Sequence, residues 1–117
     1  MVSKTLVLEI SRLEADFCSG LSDPTRLLIL YALADGPRNV TDLANELDIA
    51  QPTTSRHLKI LRERGLVDTV RQGSSIMYHL GDRRLIEALD LLRAVMRDRL
   101  AYRASLVDES RATSNAN

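Results

Sequence analysis

Gln51, Thr53, Ser55, Arg56 and Lys59 gather an amide, two hydroxyls and two cations into nine residues that also include Pro52. An Arg guanidinium forks onto O6 and N7 of guanine, a Gln amide pairs with adenine in the same way, and hydroxyls bond to bases or phosphates. If the segment is a helix, the dipole at its N-terminus draws phosphate as well. At about 100° per residue, Thr54, Leu58, Leu61 and Gly65 fall within about 60° of one another. Pro52, Arg56 and Lys59 take the opposite side, with Thr53 and Ser55 on its flanks. One face is therefore expected to pack inward and the other to carry cations into solvent, as a DNA major groove requires. Ile60 does not fit this division. Arg71, Gln72 and Ser74 form a second polar cluster, able to reach a neighbouring phosphate backbone or minor groove. On an isolated amphipathic helix such a face is more often plain solvated surface, so the reading depends on the elements around it.

Other chemistry finds little support. There is no glycine-rich phosphate loop, no Cys-His pair at a sensible spacing and no Ser-His-Asp set beyond chance, so an enzyme is not expected. Asp82, Asp90 and Asp98 read as solvated carboxylates on a charged helix face. His57 lies at the edge of the buried stripe and His79 ends a strand, and neither reads as a metal ligand. Cys18 is the single cysteine, which excludes an internal disulfide and an intrachain four-cysteine zinc cage. As the one soft group it is a candidate redox or electrophile sensor. The competing and favoured reading is a small buried apolar residue, since no second thiol can resolve a sulfenic acid and Glu14 and Asp16 disfavour a thiolate.

The elements that must position these groups follow from periodicity and breakers. Leu6, Ile10, Leu13 and Phe17 step along one helix face in residues 5–18, with Gly20 read as its end. Asp23-Pro24 has the chemistry of a helix start, and Leu27 to Leu33 fill a mostly buried helix that stops at Gly36-Pro37. Thr41 reads as the cap of a short helix carrying Leu43 and Leu47. A three-residue link, Ile49 to Gln51, leads to a helix from Pro52 to Arg64, with Gly65 as its left-handed terminator. Two helices so joined are a helix-turn-helix signature. LVDTV and SIMYHL, flanking Arg71-Gln72-Gly73-Ser74, read as a β-hairpin, the wing. After Gly81, Leu85, Leu89, Leu92, Met96 and Leu100 form one helical stripe, broadened by Ile86, Leu91, Val95 and Leu106; it exceeds what one small domain needs.

The expected fold is mainly α with a small β-hairpin, a winged helix-turn-helix of about five helices. Residues 1–107 form the DNA-binding and dimerisation domain and 108–117 a disordered tail without apolar period. A chain of 117 residues fits one thin-cored domain, and its 44% apolar, 27% charged and 3% aromatic content suits a Leu-rich helical protein. No signal-peptide stretch and no apolar run long enough for a membrane span is found, so a cytoplasmic protein without a membrane partner is expected. Net charge is zero, but unevenly spread: residues 1–50 carry four basic and eight acidic side chains, residues 51–79 five and two. The positive charge sits where the polar helix does.

Leu21-Ser22-Asp23-Pro24-Thr25-Arg26, the run from Gln51 through Arg56-His57-Leu58-Lys59 and Leu61-Arg62-Glu63-Arg64-Gly65-Leu66-Val67, and Gly73 through Tyr78-His79-Leu80 resemble the ArsR/SmtB repressor family over about residues 6–100. The resemblance implies a homodimeric winged helix that leaves double-stranded operator DNA when an inducer, often a metal ion, binds. It implies too that the first and last helices build the dimer, which would place Leu6, Ile10, Leu13, Phe17, Leu89, Leu92, Met96 and Leu100 in the interface. The family's usual sensors are missing. Asn39 and Thr41 stand where a Cys-x-Cys pair would bind thiophilic ions. Along the last helix Asp82 and Asp98 match acidic ligands of the zinc sensors, but Arg84 and Val95 occupy the histidine positions. The expectation is a sequence-specific transcriptional regulator, a repressor, with no cofactor and no metal at those sites, released by a small molecule or an oxidant. Two alternatives stand beside it: a protein-interaction or architectural module that does not read sequence, and a thiol-based redox repressor using Cys18.

Overall fold

Ser3 opens the first helix by accepting the Leu6 N–H at 3.1 Å, and α1 runs over Lys4–Arg12. The computed structural model, which describes residues 1–115, keeps the chain helical through a π-helical stretch (Leu13–Cys18) into one further turn, α2 (Ser19–Leu21). Gly20 thus lies inside the helical run instead of ending it. Its missing side chain serves a close approach, because a Cβ there would stand 2.6 Å from Cδ1 of the fully buried Leu66. No residue of α1 is buried.

Asp23 and Pro24 start α3 (Pro24–Ala34) as their chemistry dictates: Asp23 Oδ1 accepts the N–H groups of Thr25 at 2.8 Å and Arg26 at 3.2 Å. The Arg26 guanidinium turns back to the preceding helix end, donating from Nε to the Gly20 carbonyl at 2.7 Å and from Nη2 to that of Ser19 at 3.2 Å. The Ser19 carbonyl also accepts the Ser22 hydroxyl at 2.8 Å, and a cation suits the negative end of the helix dipole. Ile29, Leu30, Ala32 and Leu33 are buried, whereas Leu28, expected inside, is 57% exposed.

Asn39, not Thr41, caps α4 (Val40–Leu47), its Oδ1 accepting the Asp42 N–H at 2.8 Å. Both residues have capping chemistry, and the earlier one wins because Val40 already has helical geometry. Asp48 closes α4 in the left-handed region (φ 54°), the Ile49 N–H returns to the Ala44 carbonyl at 3.0 Å, and α5 (Gln51–Glu63) begins after Ala50. Gly65, at φ +79°, ends that helix as expected.

Strands β1 (Val67–Gln72) and β2 (Ser75–Leu80) pair antiparallel from Val67 opposite Leu80 to Gln72 opposite Ser75. Gly73-Ser74 alone forms the turn, so Arg71 and Gln72, read as connector, are the last residues of β1. Gly73 at φ +62° suits the first position of a two-residue hairpin turn. Arg38 adds one antiparallel bridge to Tyr78, donating to its carbonyl at 3.0 Å and accepting its N–H at 2.8 Å. Leu43, Leu58, Leu61, Leu66 and Val67 complete the core of residues 1–83 with the apolar side chains of α3.

Residues from Arg84 form a separate unit, one helix, α6 (Arg84–Asn115), about 48 Å long at 1.5 Å per residue. Of the expected disordered tail, 108–115 are helical here and 116–117 lie outside the described residues. An absent apolar period forbids packing, not helicity, and Glu109, Arg111 and Ala112 are good helix formers. Among the described residues no helix is long and apolar enough to cross a membrane.

Two measurements check these local arguments. Gly20→Ala is expected to lower stability by about 1–3 kcal/mol in chemical denaturation, because the new methyl forces the packed Leu66 side chain to move; unchanged stability would contradict the close approach. The Asp23 carboxyl is held below its usual pKa, chiefly by the hydrogen bond from the Arg26 N–H, with further help from the Thr25 N–H and the charges of His57 and Arg26. A carboxylate depressed on folding stabilises above its unfolded pKa of about 3.9 and loses that contribution as pH falls through the folded value. Denaturation midpoints measured from pH 6 down to pH 3 should therefore fall more steeply for the wild type than for Asp23→Asn, and parallel curves would refute the assignment.

Candidate nucleic-acid interface

Rotation of α5 is set by what it buries. Thr54, Leu58 and Leu61 are fully buried, and the Thr54 hydroxyl is satisfied by the Ala50 carbonyl one turn back, at 3.0 Å. That stripe packs against α3, α4 and β1. Gln51, Pro52, Ser55, Arg56 and Lys59 are consequently exposed and Thr53 half-exposed. Ile60, which the helical wheel leaves among polar residues, is half-buried. No side chain caps the N-terminus of α5, in contrast to Asp23 on α3 and Asn39 on α4, so the first-turn N–H groups stay available to an anion.

On the hairpin, Arg71, Gln72 and Ser74 are all exposed, Arg71 opposite Ile76 and Gln72 opposite Ser75. Between α5 and β2 runs an open groove of about 570 Å³ lined by Pro52, Ser55, Arg56, Lys59, Arg62 and Tyr78. Arg62 and Tyr78 escaped the sequence reading. Arg62 carried a signal, since Arg56, Lys59 and Arg62 recur every third residue, a spacing that keeps side chains along one flank of a helix. Tyr78 carried none, its place being fixed by pairing with Thr69 and by the Arg38 bridge.

His57 is half-buried, its Nδ1 3.4 Å from Nη1 of Arg26, and His79 Nδ1 lies 3.1 Å from the Leu80 carbonyl. Both rings are engaged with protein groups. Cys18, at the end of the π-helical stretch, is exposed in the single chain and not buried in the core of residues 1–83. Leu6, Ile10, Leu13 and Phe17 are exposed in the first helical run. Leu92, Met96 and Leu100 are more than half exposed on α6, while Leu89 is buried within the single chain.

Comparison with known proteins agrees with this geometry. The family model described as bacterial regulatory protein, arsR family, matches residues 23–69, from the Asp23 cap through α5 into β1. The biofilm growth-associated repressor of Xylella fastidiosa is 33% identical over 81 residues, covering 69% of this chain and 71% of its own length. The chain belongs to the arsR family. A biofilm growth-associated repressor of Agrobacterium fabrum is 47% identical over 72 residues, 59% of this chain, and the match spans only 62% of that protein. The solution structure of a homodimeric winged helix-turn-helix DNA-binding domain from Mycobacterium bovis, a possible ArsR-family transcriptional regulator, superposes with a TM-score of 0.74 at 26% identity, covering 86% of this chain and 92% of that one.

Within the arsR framework the two positions at which the resemblance would put a thiolate pair do other work. Asn39 is the cap of α4 and Thr41 is an exposed residue of its first turn. Among the described residues no three His, Cys, Asp or Glu side chains gather as a metal-binding group.

Proposed function

We propose that this chain is a sequence-specific, DNA-binding transcriptional repressor that acts as a homodimer. In this reading α5 enters the major groove, Arg56 and Gln51 address base edges, and Thr53, Ser55 and Lys59 bind bases or phosphates beside Pro52. Arg71, Gln72 and Ser74 of the hairpin touch the flanking backbone or minor groove. The observation that carries the proposal is the rotation of α5: three fully buried side chains on one face leave Gln51, Ser55, Arg56 and Lys59 exposed and Thr53 half-exposed on the other. Relatives named as repressors support it.

The homodimer is supported by the Mycobacterium bovis domain and by two exposed apolar faces, each unfavourable in water: Leu6, Ile10, Leu13 and Phe17 at the N-terminal helix, and Leu92, Met96 and Leu100 on α6. Residues 1–107 suffice for both tasks in this reading. Release from the operator follows a small molecule or an oxidant, and not a metal at the family's usual positions, since Asn39, Thr41, Arg84 and Val95 supply no thiolate or imidazole. Cys18, exposed, is the residue through which an oxidant would act; operator release by thiol reagents in the wild type but not in Cys18→Ser would establish that route.

Binding of a roughly 20-base-pair duplex, selected from a random library, tests the reading. Arg56→Ala is expected to weaken binding of the selected duplex by about 1–3 kcal/mol and to relax preference at one base pair, whereas Arg71→Ala should weaken selected and random duplexes alike. If Arg56→Ala binds as tightly and as selectively as the parent, α5 does not lie in the groove as described.

A further inference from the structure

We propose that the groove between α5 and β2 is a seat for one strand of the DNA backbone, with Arg62 and Tyr78 as the residues that clamp its phosphates; this rests on the DNA-binding reading above. Arg56, Lys59 and Arg62 line the groove together, and none of the three has an ion-pair partner among the described residues. Three unneutralised cations on one wall make a focused positive field that an anionic polymer relieves. From Arg56 to Arg62 the helix advances about 9 Å. A DNA strand carries one phosphate per nucleotide, so a strand laid along this wall brings phosphates within reach of Lys59 and Arg62 while Arg56, nearer the N-terminus, faces the bases.

The opposite wall supplies the other half of the clamp. Tyr78 sits on backbone pinned from both sides, by Thr69 of β1 and by the two hydrogen bonds with Arg38. A phenol on so constrained a strand presents its hydroxyl to a phosphate oxygen at little ordering cost. Arg62 lies in the last turn of α5, away from the N-terminal residues that address bases, so its contribution is to affinity and register and not to base choice. Groove and reading face thereby divide the labour: Gln51 and Arg56 at one end select, Arg62 and Tyr78 at the other hold.

The test measures duplex binding against salt for the wild type, Arg62→Ala, Arg62→Lys and Tyr78→Phe, using both a random 30-base-pair duplex and the selected one. Arg62→Ala is expected to weaken both duplexes by the same factor and to reduce the slope of log K against log salt by about 0.9 for each protomer engaged. Arg62→Lys should restore the slope, and Tyr78→Phe should weaken both duplexes about fivefold, the worth of one hydrogen bond. The melting temperature, recorded alongside, separates the clamp from a merely structural part. If Arg62 serves only to complement the C-terminal dipole of α5, Arg62→Ala lowers the melting temperature and leaves the salt slope intact, and the clamp is overturned while the DNA-binding reading stands. Wild-type protein that binds neither duplex would instead overturn that reading itself.

Discussion

The burial of Thr54, Leu58 and Leu61 is the constraint on which everything else rests. Each fully buried leucine is worth about 1.5–3 kcal/mol. Rolling α5 by one residue, about 100°, would expose both leucines and drive a guanidinium toward the core, where an unpaired charge is costly. The penalty would take a large share of the few kcal/mol by which a domain of this size is stable. Hydrophobic packing on one side thus aims hydrogen-bonding chemistry on the other.

Around that helix, the remaining elements hold its position. The left-handed Asp48 and the return of the Ile49 N–H to Ala44 fix the angle at which α5 leaves α4. At the other end, Gly65 lets the chain reverse into β1, and Arg64 reaches back to the Ala15 carbonyl at 3.2 Å. Arg26 ties the end of the N-terminal helical run to α3 and stands against His57 on the inner edge of α5. The hairpin is tethered through Arg38, whose guanidinium also pairs with Glu46 of α4 at 2.9 Å, so wing and helix-turn-helix share an anchor. An apolar surface on the N-terminal helix and on α6 stays exposed in the single chain, and it is the surface that the proposed homodimer would cover.

What was legible in the chain was local and periodic. The Asp23-Pro24 start, the Gly65 stop, the turn at Gly73 and the two faces of α5 all follow from capping chemistry, positive φ and the 3.6-residue repeat. What was not legible depended on partners distant in sequence. A glycine in a helical pattern reads as a terminator, and only the approach of Leu66 shows that Gly20 is needed for contact. Asn39 and Thr41 are both competent caps, and their contest is decided by where Val40 must sit. Exposure of Leu28 and Cys18 needed the packing of the helices around them, and Tyr78 entered the candidate site through strand register alone. The helical 108–115 segment shows the opposite failure, since helix propensity does not require a hydrophobic stripe.

The most direct measurement of the central claim is an amide chemical-shift titration of isotope-labelled protein with a selected operator duplex. Resonances of Gln51 to Lys59 on α5 and of Arg71 to Ser74 on the hairpin should move together on binding, with Thr54, Leu58 and Leu61 reporting no loss of their buried environment. Shifts that spare α5 and map instead to α1 or α6, or a duplex that binds only when the Leu58 and Leu61 side chains become exposed, would contradict the account.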